Sequence, residues 1–142
     1  MLRSFTLKNF RCFQHFTLEP LERVNLIAGK NNVGKTSLLE ALFIFLNPTN
    51  PESLFQINRL RGITKSGRFE DIEEIREFFL DQDLEKVIEI SSLEDNNMQR
   101  SLQIRLAESE ESQAEQITLF NSDTVPLKAN KLLLTEVRHM IR

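Results

Sequence analysis

One segment near the N-terminus combines residue types and a spacing that suit phosphate binding. It reads Gly29-Lys30-Asn31-Asn32-Val33-Gly34-Lys35-Thr36 and fits the pattern G-x-x-x-x-G-K-[ST] at every fixed position. The two glycines let the backbone turn tightly, so that its N–H groups converge on one anion at the positive end of the following helix. The segment therefore predicts a phosphate-binding loop.

The polar side chains of this loop have predicted roles in holding a nucleotide. Lys35 would pair with β- and γ-phosphate oxygens, and the Thr36 hydroxyl would be a Mg²⁺ ligand because Mg²⁺ prefers oxygen. Ser37 is a further candidate donor to a phosphate. The predicted nucleotide-binding residues are Gly29, Lys30, Asn31, Asn32, Val33, Gly34, Lys35, Thr36 and Ser37.

The flanking elements must position this loop. Val24–Ala28 is a short apolar run typical of a strand, and Ser37–Leu46 has the apolar character of a buried helix. Strand, glycine loop and helix is the arrangement that the motif requires. This context favours a nucleotide site over a chance match on a Gly/Asn turn.

Size and composition indicate one ordinary soluble domain. The chain has 142 residues, of which 40% are hydrophobic and 27% charged, and its net charge of −3 gives no overall basic balance that would indicate nucleic acid. The single Cys12 excludes an internal disulfide and is expected to be structural. The apolar run Ala41–Leu46 is too short to span a membrane, and the N-terminus has no signal-peptide core, so a cytoplasmic location is expected.

The rest of the chain divides by its hydrophobic period. Leu2–Asn9 alternates as a strand, and Phe16–Leu18 predicts a second strand that forms a hairpin with it. After a stop at Asn47–Pro51, we expect a short helix over Glu52–Leu60 and an amphipathic helix over Glu70–Leu84, with its acidic side chains in solvent.

From Glu85 onward the hydrophobic period changes to two. Residues 85–125 predict an antiparallel β-meander, with strands near 87–90, 102–106 and 117–120. After Pro126, a stripe of apolar residues at helical spacing predicts a C-terminal helix over 126–142 that looks interrupted. The members of this stripe are Leu133, Val137, Met140 and Ile141.

Two stretches carry a family resemblance. The run Phe5-Thr6-Leu7-Lys8-Asn9-Phe10-Arg11-Cys12-Phe13 and the run Val24–Leu42 resemble the start of an ABC-type ATPase of the RecF/SMC kind. The sequence of the glycine loop is most similar to that of the OLD-like and related "AAA family" ATPases of bacteria. The resemblance is close over residues 1–46 and weak afterwards. It implies an α/β fold, the N-terminal lobe of a P-loop NTPase with an antiparallel β-subdomain and intervening helices.

The resemblance also implies a ligand, partners and a cellular role. It makes the chain a single partial ATP-binding domain over 1–142, with ATP preferred to GTP, and places Arg11 near the nucleotide as a phosphate or ribose contact. A solvated turn arginine is the alternative for Arg11. Proteins of this kind work on DNA in repair or phage defence, and a homodimer through the nucleotide site would supply the missing signature sequence.

Hydrolysis needs a carboxylate that the sequence does not provide clearly. A Walker B element is a run of apolar strand residues ending in Asp. Asp81 follows a segment of helical period, and Leu132–Glu136 resembles the element only superficially, with Thr135 in place of Asp. No two glycines are adjacent, so the ABC signature is absent.

These gaps leave alternatives open. We expect hydrolysis only in the complete protein or dimer, and the alternative is a non-hydrolysing nucleotide-binding or dimerisation fragment. A small P-loop kinase or GTPase would need a guanine-reading motif or an arginine-rich lid, and the basic loop 59–68 is the nearest match to a lid. The basic residues Arg59, Arg61, Lys65 and Arg68 of this loop could contact nucleic acid or a nucleotide, although such a run is more often solvated. His15 and His139 are expected to be structural or surface residues.

Overall fold

The computed structural model describes residues 1–48, 50, 52–63, 72–106, 122–126 and 132–141, with the backbone alone described in 122–126. The elements in chain order are β1 (Leu2–Phe10), β2 (Phe13–Leu18), α1 (Lys35–Leu46), α2 (Glu52–Leu60), α3 (Ile72–Arg76), a 3₁₀ turn (Leu80–Gln82), β3 (Ile88–Glu94), β4 (Met98–Leu106), β5 (Ser122–Pro126) and β6 (Leu132–Met140).

The strands form one antiparallel sheet. Their order across the sheet is β2-β1-β3-β4-β6-β5, and every neighbouring pair is antiparallel. α1 packs on one face, where the ring of Phe45 meets the ring of Phe5 edge-on at 5.6 Å between centroids. The predicted α/β class, with an antiparallel sheet and helices, is confirmed.

β1 forms the predicted N-terminal strand and lies inside the sheet. Phe5 and Leu7 are fully buried, as period-two alternation predicts, and β1 bonds to β2 on one side and β3 on the other. Arg11 and Cys12 form the turn of the predicted hairpin, whose last pair is Phe10 with Phe13. This turn lies next to the phosphate-loop motif, as the following section describes.

The first two predicted helices are confirmed. α1 covers the predicted apolar run and ends where Asn47 caps it, its backbone N–H donating to the Ile44 carbonyl. α2 has the predicted bounds Glu52–Leu60. Among the described residues, no helix is both long enough and apolar enough to cross a membrane.

The predicted strand at Val24–Ala28 is wrong. The segment has no strand structure, and Val24 and Leu26 are 88% and 93% exposed. A strand forms when neighbouring strands satisfy its backbone N–H and C=O groups. None of the strands in the described sheet pairs with this segment.

The predicted C-terminal helix is also wrong, because residues 132–140 form β6. This strand pairs with β4 along its whole length, from Leu132 opposite Leu106 to Met140 opposite Met98. Leu132, Leu134 and Glu136 are buried at a period of two, which a helix could not achieve. The predicted helical stripe therefore does not exist, and Val137 and Met140 are exposed.

The predicted meander is correct only for its first hairpin. β3 and β4 pair as adjacent antiparallel strands. The predicted strand near 117–120 lies outside the described residues. β6, and not the next strand in sequence, lies beside β4, and β5 pairs with the far side of β6.

The predicted helix over Glu70–Leu84 is much shorter in the structure. Within the described residues, α3 ends at Arg76, and the chain then turns so that Phe79 bridges to Phe10 of β1. Asp81 and Gln82 have left-handed backbones, with φ of 57° and 56°, which no α-helix can contain. Glu74, which was expected in solvent, is 4% exposed.

A buried carboxylate joins β6 to β4 and to α1. Glu136 is 5% exposed and accepts hydrogen bonds from Arg100 and Arg138 at 2.9–3.1 Å. Arg100 also donates to the Phe45 carbonyl at 3.3 Å and stacks on the Phe45 ring. Burial raises the pKa of the Glu136 carboxyl, but the hydrogen bonds from Arg138 and Arg100 outweigh it, so the pKa lies below its ordinary value.

Glu136→Gln should reduce the acid sensitivity of the fold. Because the folded pKa is depressed, the ionised carboxylate stabilises the fold above the unfolded pKa of about 4.3 and loses this contribution as pH falls through the folded pKa. We expect the variant to be less stable at pH 7 but to lose less stability than the wild type between pH 5 and pH 3. Urea unfolding across this range measures the effect, with the exposed Glu85→Gln as control. Parallel pH profiles for the wild type and Glu136→Gln would contradict the assignment.

Candidate functional site

The glycine loop leads into α1 through Gly34. Gly34 is the N-cap residue, with φ of 98° in the left-handed region, and its carbonyl accepts the first helical hydrogen bond from Leu38 at 2.9 Å. A Cβ added to Gly34 would lie 2.7 Å from Cζ of Phe13 and 2.8 Å from Sγ of Cys12. Glycine is therefore required here both by backbone conformation and by the close approach of the β1–β2 hairpin.

The Lys35 side chain folds back over the loop. Its Nζ donates to the carbonyl of Gly29 at 2.6 Å and to the carbonyl of Lys30. The ammonium group is thus held by main-chain oxygens at the place where the sequence predicts phosphate. Both acceptors belong to the loop itself, so a phosphate oxygen can replace them without moving another element.

A cavity of about 880 Å³ opens in front of this loop. Its lining includes seven of the ten predicted site residues, namely Arg11, Asn31, Asn32, Gly34, Lys35, Thr36 and Ser37. The other three lie behind or beside this lining. Gly29 and Lys30 contribute the carbonyls that hold Lys35, and the side chain of Val33 would touch a Cβ added to Gly29 at 3.1 Å.

Glu40 of α1 pairs with two arginines from different parts of the chain. Its Oε2 lies 2.8 Å from Nε of Arg11, and Arg61 contacts both of its oxygens, with Nη2 to Oε2 at 3.0 Å. The Glu40 side chain is only 10% exposed. One buried carboxylate therefore holds two guanidinium groups at the edge of the cavity.

Arg11 is buried at the edge of the cavity, and the alternative of a solvated turn arginine is wrong. Its side chain is 8% exposed, its guanidinium stacks on Phe78 at 4.6 Å, and Nη1 donates to the Glu77 carbonyl at 3.2 Å. Nη2 is buried without a hydrogen-bond partner among the described residues. Desolvation lowers the pKa of Arg11, although the charge of Glu40 acts in the opposite direction.

Arg61 is positioned by the end of α2. Gly62 has a left-handed backbone with φ of 70°. Its N–H donates to the backbone carbonyl of Arg59, and the N–H of Ile63 donates to the backbone carbonyl of Asn58, both at 3.0 Å. These bonds form a Schellman motif, which gives a helix end a defined geometry. Arg61, the residue before Gly62, is thereby directed at Glu40 and at Ser37, whose Oγ lies 3.5 Å from Nη2.

The structure contains groups that suit a nucleotide with Mg²⁺. Thr36 is exposed in the cavity, where its hydroxyl is available to a cation. Mg²⁺ commonly binds through one or two protein oxygens, several waters and substrate phosphates. The described residues include no cluster of three or more His, Cys, Asp or Glu that could hold a metal alone. A cation here would therefore depend on phosphate oxygens as further ligands.

The remaining sequence candidates fall in different places. Glu136 is paired with arginines near Phe45, about 15 Å along α1 from Lys35 at the helical rise per residue. Asp81 lines the cavity but is paired with Lys86 at 2.9 Å. Cys12, expected to be structural, is exposed and lines the cavity. His15 and His139 are surface residues, as predicted.

Sequence reasoning missed Glu40 and Gln82, and it named Arg61 only as a member of the basic loop and Asp81 only as a poor match to a Walker B carboxylate. Glu40 carried a usable signal because it is the single acidic residue in an otherwise apolar helix. A carboxylate in a helix that is expected to be buried requires a cationic partner. No comparable signal identified Arg61 among the basic residues of 59–68, and Lys65 and Arg68 of that loop lie outside the described residues.

Comparisons with known proteins agree with this geometry. A family model described as "AAA ATPase domain" matches residues 1–139. An "ATP/GTP phosphatase" of Helicobacter pylori is 31% identical over 115 residues, covering 78% of this chain and 29% of the relative. A "DNA replication and repair protein RecF" of Pseudoalteromonas translucida is 52% identical over 42 residues, covering 30% of this chain and 12% of the relative.

A third relative is of a similar kind. An uncharacterized protein of Methanocaldococcus jannaschii is 48% identical over 63 residues, covering 44% of this chain and 28% of the relative. The chain therefore spans less than a third of the length of each of these three relatives.

Gly34→Ala should destabilise the fold more than Gly62→Ala. Both positions have positive φ, which costs an alanine about 1 kcal/mol, but a Cβ at Gly62 would meet nothing within 4 Å. At Gly34 the clash with Phe13 and Cys12 should bring the loss to about 3 kcal/mol. Urea midpoints of the two variants measure the difference. Equal losses would show that the hairpin does not pack against Gly34.

Glu40→Gln should lower the free energy of unfolding by about 3 kcal/mol, because it leaves the buried Arg11 without its counter-charge. Glu22→Gln, at an exposed position, is the matched control and should change stability by less than about 0.5 kcal/mol. The measurement is urea unfolding at pH 7, in which the dependence of the unfolding free energy on urea concentration is also compared between the wild type and the two variants. A Glu40→Gln variant as stable as the control would contradict the inferred pairing.

Proposed function

The chain belongs to the AAA ATPase domain family, and we propose that it binds Mg²⁺-ATP at Gly29–Ser37, with Arg11 as an additional contact. In this proposal it is the N-terminal lobe of an ABC-type ATPase of the RecF/SMC and OLD-like kind. The family relatives named above include a DNA replication and repair protein and an ATP/GTP phosphatase. These names support a nucleotide-dependent role linked to DNA repair.

The convergence of positive charge on one cavity is the observation that carries this proposal. The cationic residues of the cavity lining are Lys35, Arg11 and Arg61, and Glu40 pairs with both arginines. The lining also contains the carboxylates of Glu77 and Asp81, and Asp81 is paired with Lys86. Nη2 of Arg11 is buried without an acceptor. A phosphate group supplies both the negative charge and the oxygen acceptors that this arrangement lacks.

Each residue then has a defined task. Lys35 would exchange the Gly29 and Lys30 carbonyls for phosphate oxygens, and the loop N–H groups would donate to the same phosphate. Thr36 would offer its hydroxyl to Mg²⁺, and Ser37 would donate to a phosphate next to Arg61. When bound, Mg²⁺ neutralises charge on the phosphates. Glu40 would hold the two arginines against the anion.

We propose that hydrolysis requires the complete protein or a dimer formed through the nucleotide site. Glu136 is neutralised by two arginines at the far end of α1, so it does not serve as the Mg²⁺ carboxylate. The exposed apolar side chains of Val24 and Leu26 support a lobe that packs against further structure. An exposed apolar stripe on α1 also supports a lobe that packs against further structure. This stripe is formed by Leu39, Phe43 and Leu46.

The second candidate function is a nucleotide-binding or dimerisation fragment without turnover. Because Glu136 is paired with arginines, this second candidate is favoured as well, since it needs no catalytic carboxylate in the chain. The two candidates share the nucleotide site and differ in hydrolysis. DNA as the ultimate substrate, and a cytoplasmic location, remain parts of the first proposal that rest on resemblance.

The test is nucleotide binding and Mg²⁺-dependent turnover by the purified 142-residue chain, measured with both ATP and GTP. Lys35→Ala should weaken binding about a hundredfold, since a charge-assisted contact to phosphate is lost. Lys8→Ala, a lysine on the sheet paired with Glu89, should bind as the wild type does. Unchanged nucleotide affinity in Lys35→Ala would refute the phosphate-loop assignment. If the wild-type chain hydrolyses nucleotide and Lys35→Ala does not, the second candidate function, a fragment without turnover, is excluded.

A further inference from the structure

The cavity in front of the glycine loop has two sides of opposite charge. One side carries Lys35, Arg11 and Arg61. The other side is the segment Glu77–Gln82, which contributes the side chains of Glu77, Asp81 and Gln82 to the lining. With about 880 Å³, the cavity is in the size range of sites that enclose a whole small-molecule ligand and exceeds what phosphates alone need.

The acidic side is fixed to the same hairpin as the basic side. The backbone N–H of Arg11 donates to the Phe78 carbonyl at 2.8 Å, and its Nη1 donates to the Glu77 carbonyl at 3.2 Å. Phe79 forms a β-bridge with Phe10 at the end of β1. Glu77–Gln82 is therefore a fixed wall of the cavity.

Two polar side chains of this wall are presented to the cavity. Asp81 and Gln82 both have left-handed backbones and both line the cavity. Gln82 is held by a 3.1 Å hydrogen bond from its Nε2 to Oε1 of Glu77. Asp81 is paired with Lys86, but its side chain is 75% exposed. An ion pair that exposed contributes little, so the carboxylate can exchange Lys86 for a ligand donor.

A separate observation concerns Arg11, which lies between the two sides of the cavity. The Arg11 side chain is more than nine-tenths buried, lines the cavity and leaves Nη2 without a hydrogen-bond partner among the described residues. Arg11 directly joins the two sides, because its Nε faces Glu40 and its Nη1 faces Glu77. A ligand that contacts Arg11 from the cavity therefore lies beside the wall Glu77–Gln82.

The charges fix the orientation of a ligand that has a polyphosphate at one end. Phosphate is attracted by Lys35 and Arg61 and repelled by Glu77 and Asp81. The uncharged end of the ligand must then face the acidic wall, where hydroxyl and amine donors are the groups that a carboxylate and an amide bind best. A ribose with its base presents both.

We propose that Asp81 and Gln82 form the nucleoside subsite of this cavity. The Asp81 carboxylate accepts a hydrogen bond from a ribose hydroxyl, and the Gln82 amide, which is both donor and acceptor, bonds the polar edge of the base. This inference rests on the proposed function, since it takes the phosphates to lie at Gly29–Ser37. It adds residues that distinguish a nucleotide from a bare polyphosphate.

The experiment compares two ligands that share a triphosphate group. Binding of Mg²⁺-ATP and of Mg²⁺-tripolyphosphate is measured calorimetrically for the wild type, Asp81→Asn, Gln82→Asn and Asp83→Asn. Asparagine tolerates the left-handed backbone at Asp81 and Gln82. Asp83→Asn is the matched control, because it removes the same charge two residues away at a position outside the cavity lining.

We expect the ratio of ATP affinity to tripolyphosphate affinity to fall about tenfold in Asp81→Asn, because a charge-assisted hydrogen bond becomes a neutral one. In Gln82→Asn the ratio should fall about fivefold, because the shorter amide no longer reaches the base. In Asp83→Asn the ratio should stay within twofold of the wild type. An unchanged ratio in Asp81→Asn and Gln82→Asn overturns the subsite, even if both ligands bind. Failure of wild-type protein to bind either ligand refutes the phosphate site itself and is distinguishable from the loss of the subsite alone.

Discussion

The shared carboxylate of Glu40 is the interaction on which the candidate site depends. It brings together Arg11 from the β1–β2 hairpin and Arg61 from the end of α2, on a helix that begins at the glycine loop. Glu40 is the one carboxylate in direct contact with the two guanidinium groups, and the Arg11 guanidinium is largely removed from water. Such a charge is costly unless it is compensated, so the geometry that positions the arginines also creates the demand for an anion.

The elements that the sequence predicts well carry a clear pattern within their own residues. β1 alternates Phe5 and Leu7 with polar residues, and α1 is an apolar run with a clear stop at Asn47. α2 follows as a short amphipathic segment. The apolar residues of β6 fit both periods, and the sequence pattern favours a helix there. The strand forms by pairing with β4 along its whole length, which includes the contact of Glu136 with Arg100, 36 residues apart in sequence. Spacing within one segment cannot reveal a partner on another strand.

The same distinction applies to the site. The motif over Gly29–Thr36 predicts a phosphate loop because the glycines, lysine and threonine that the pattern requires lie within eight residues. Long-range packing brings three further residues to the candidate site, and no local motif marks them: Glu40, Arg61 and Asp81. The segment Val24–Ala28 shows the opposite error, because a local pattern predicts a strand that does not form. Its apolar residues satisfy the strand pattern, but strand formation depends on neighbouring strands, which the described sheet does not offer there.

The two ends of α1 are treated differently by the rest of the fold, and this difference has an electrostatic consequence. At the C-terminal end, where the helix dipole is negative, Arg100 from the sheet donates to the Phe45 carbonyl and places its positive charge there. At the N-terminal end, where the dipole is positive, Gly34 makes no side-chain cap bond and the first turn has no acidic residue. Lys35 instead adds a positive charge to that end, which is unfavourable by itself. The fold thus satisfies one end of α1 with its own residues, and at the other end an anion would compensate the positive charge of the helix dipole and of Lys35.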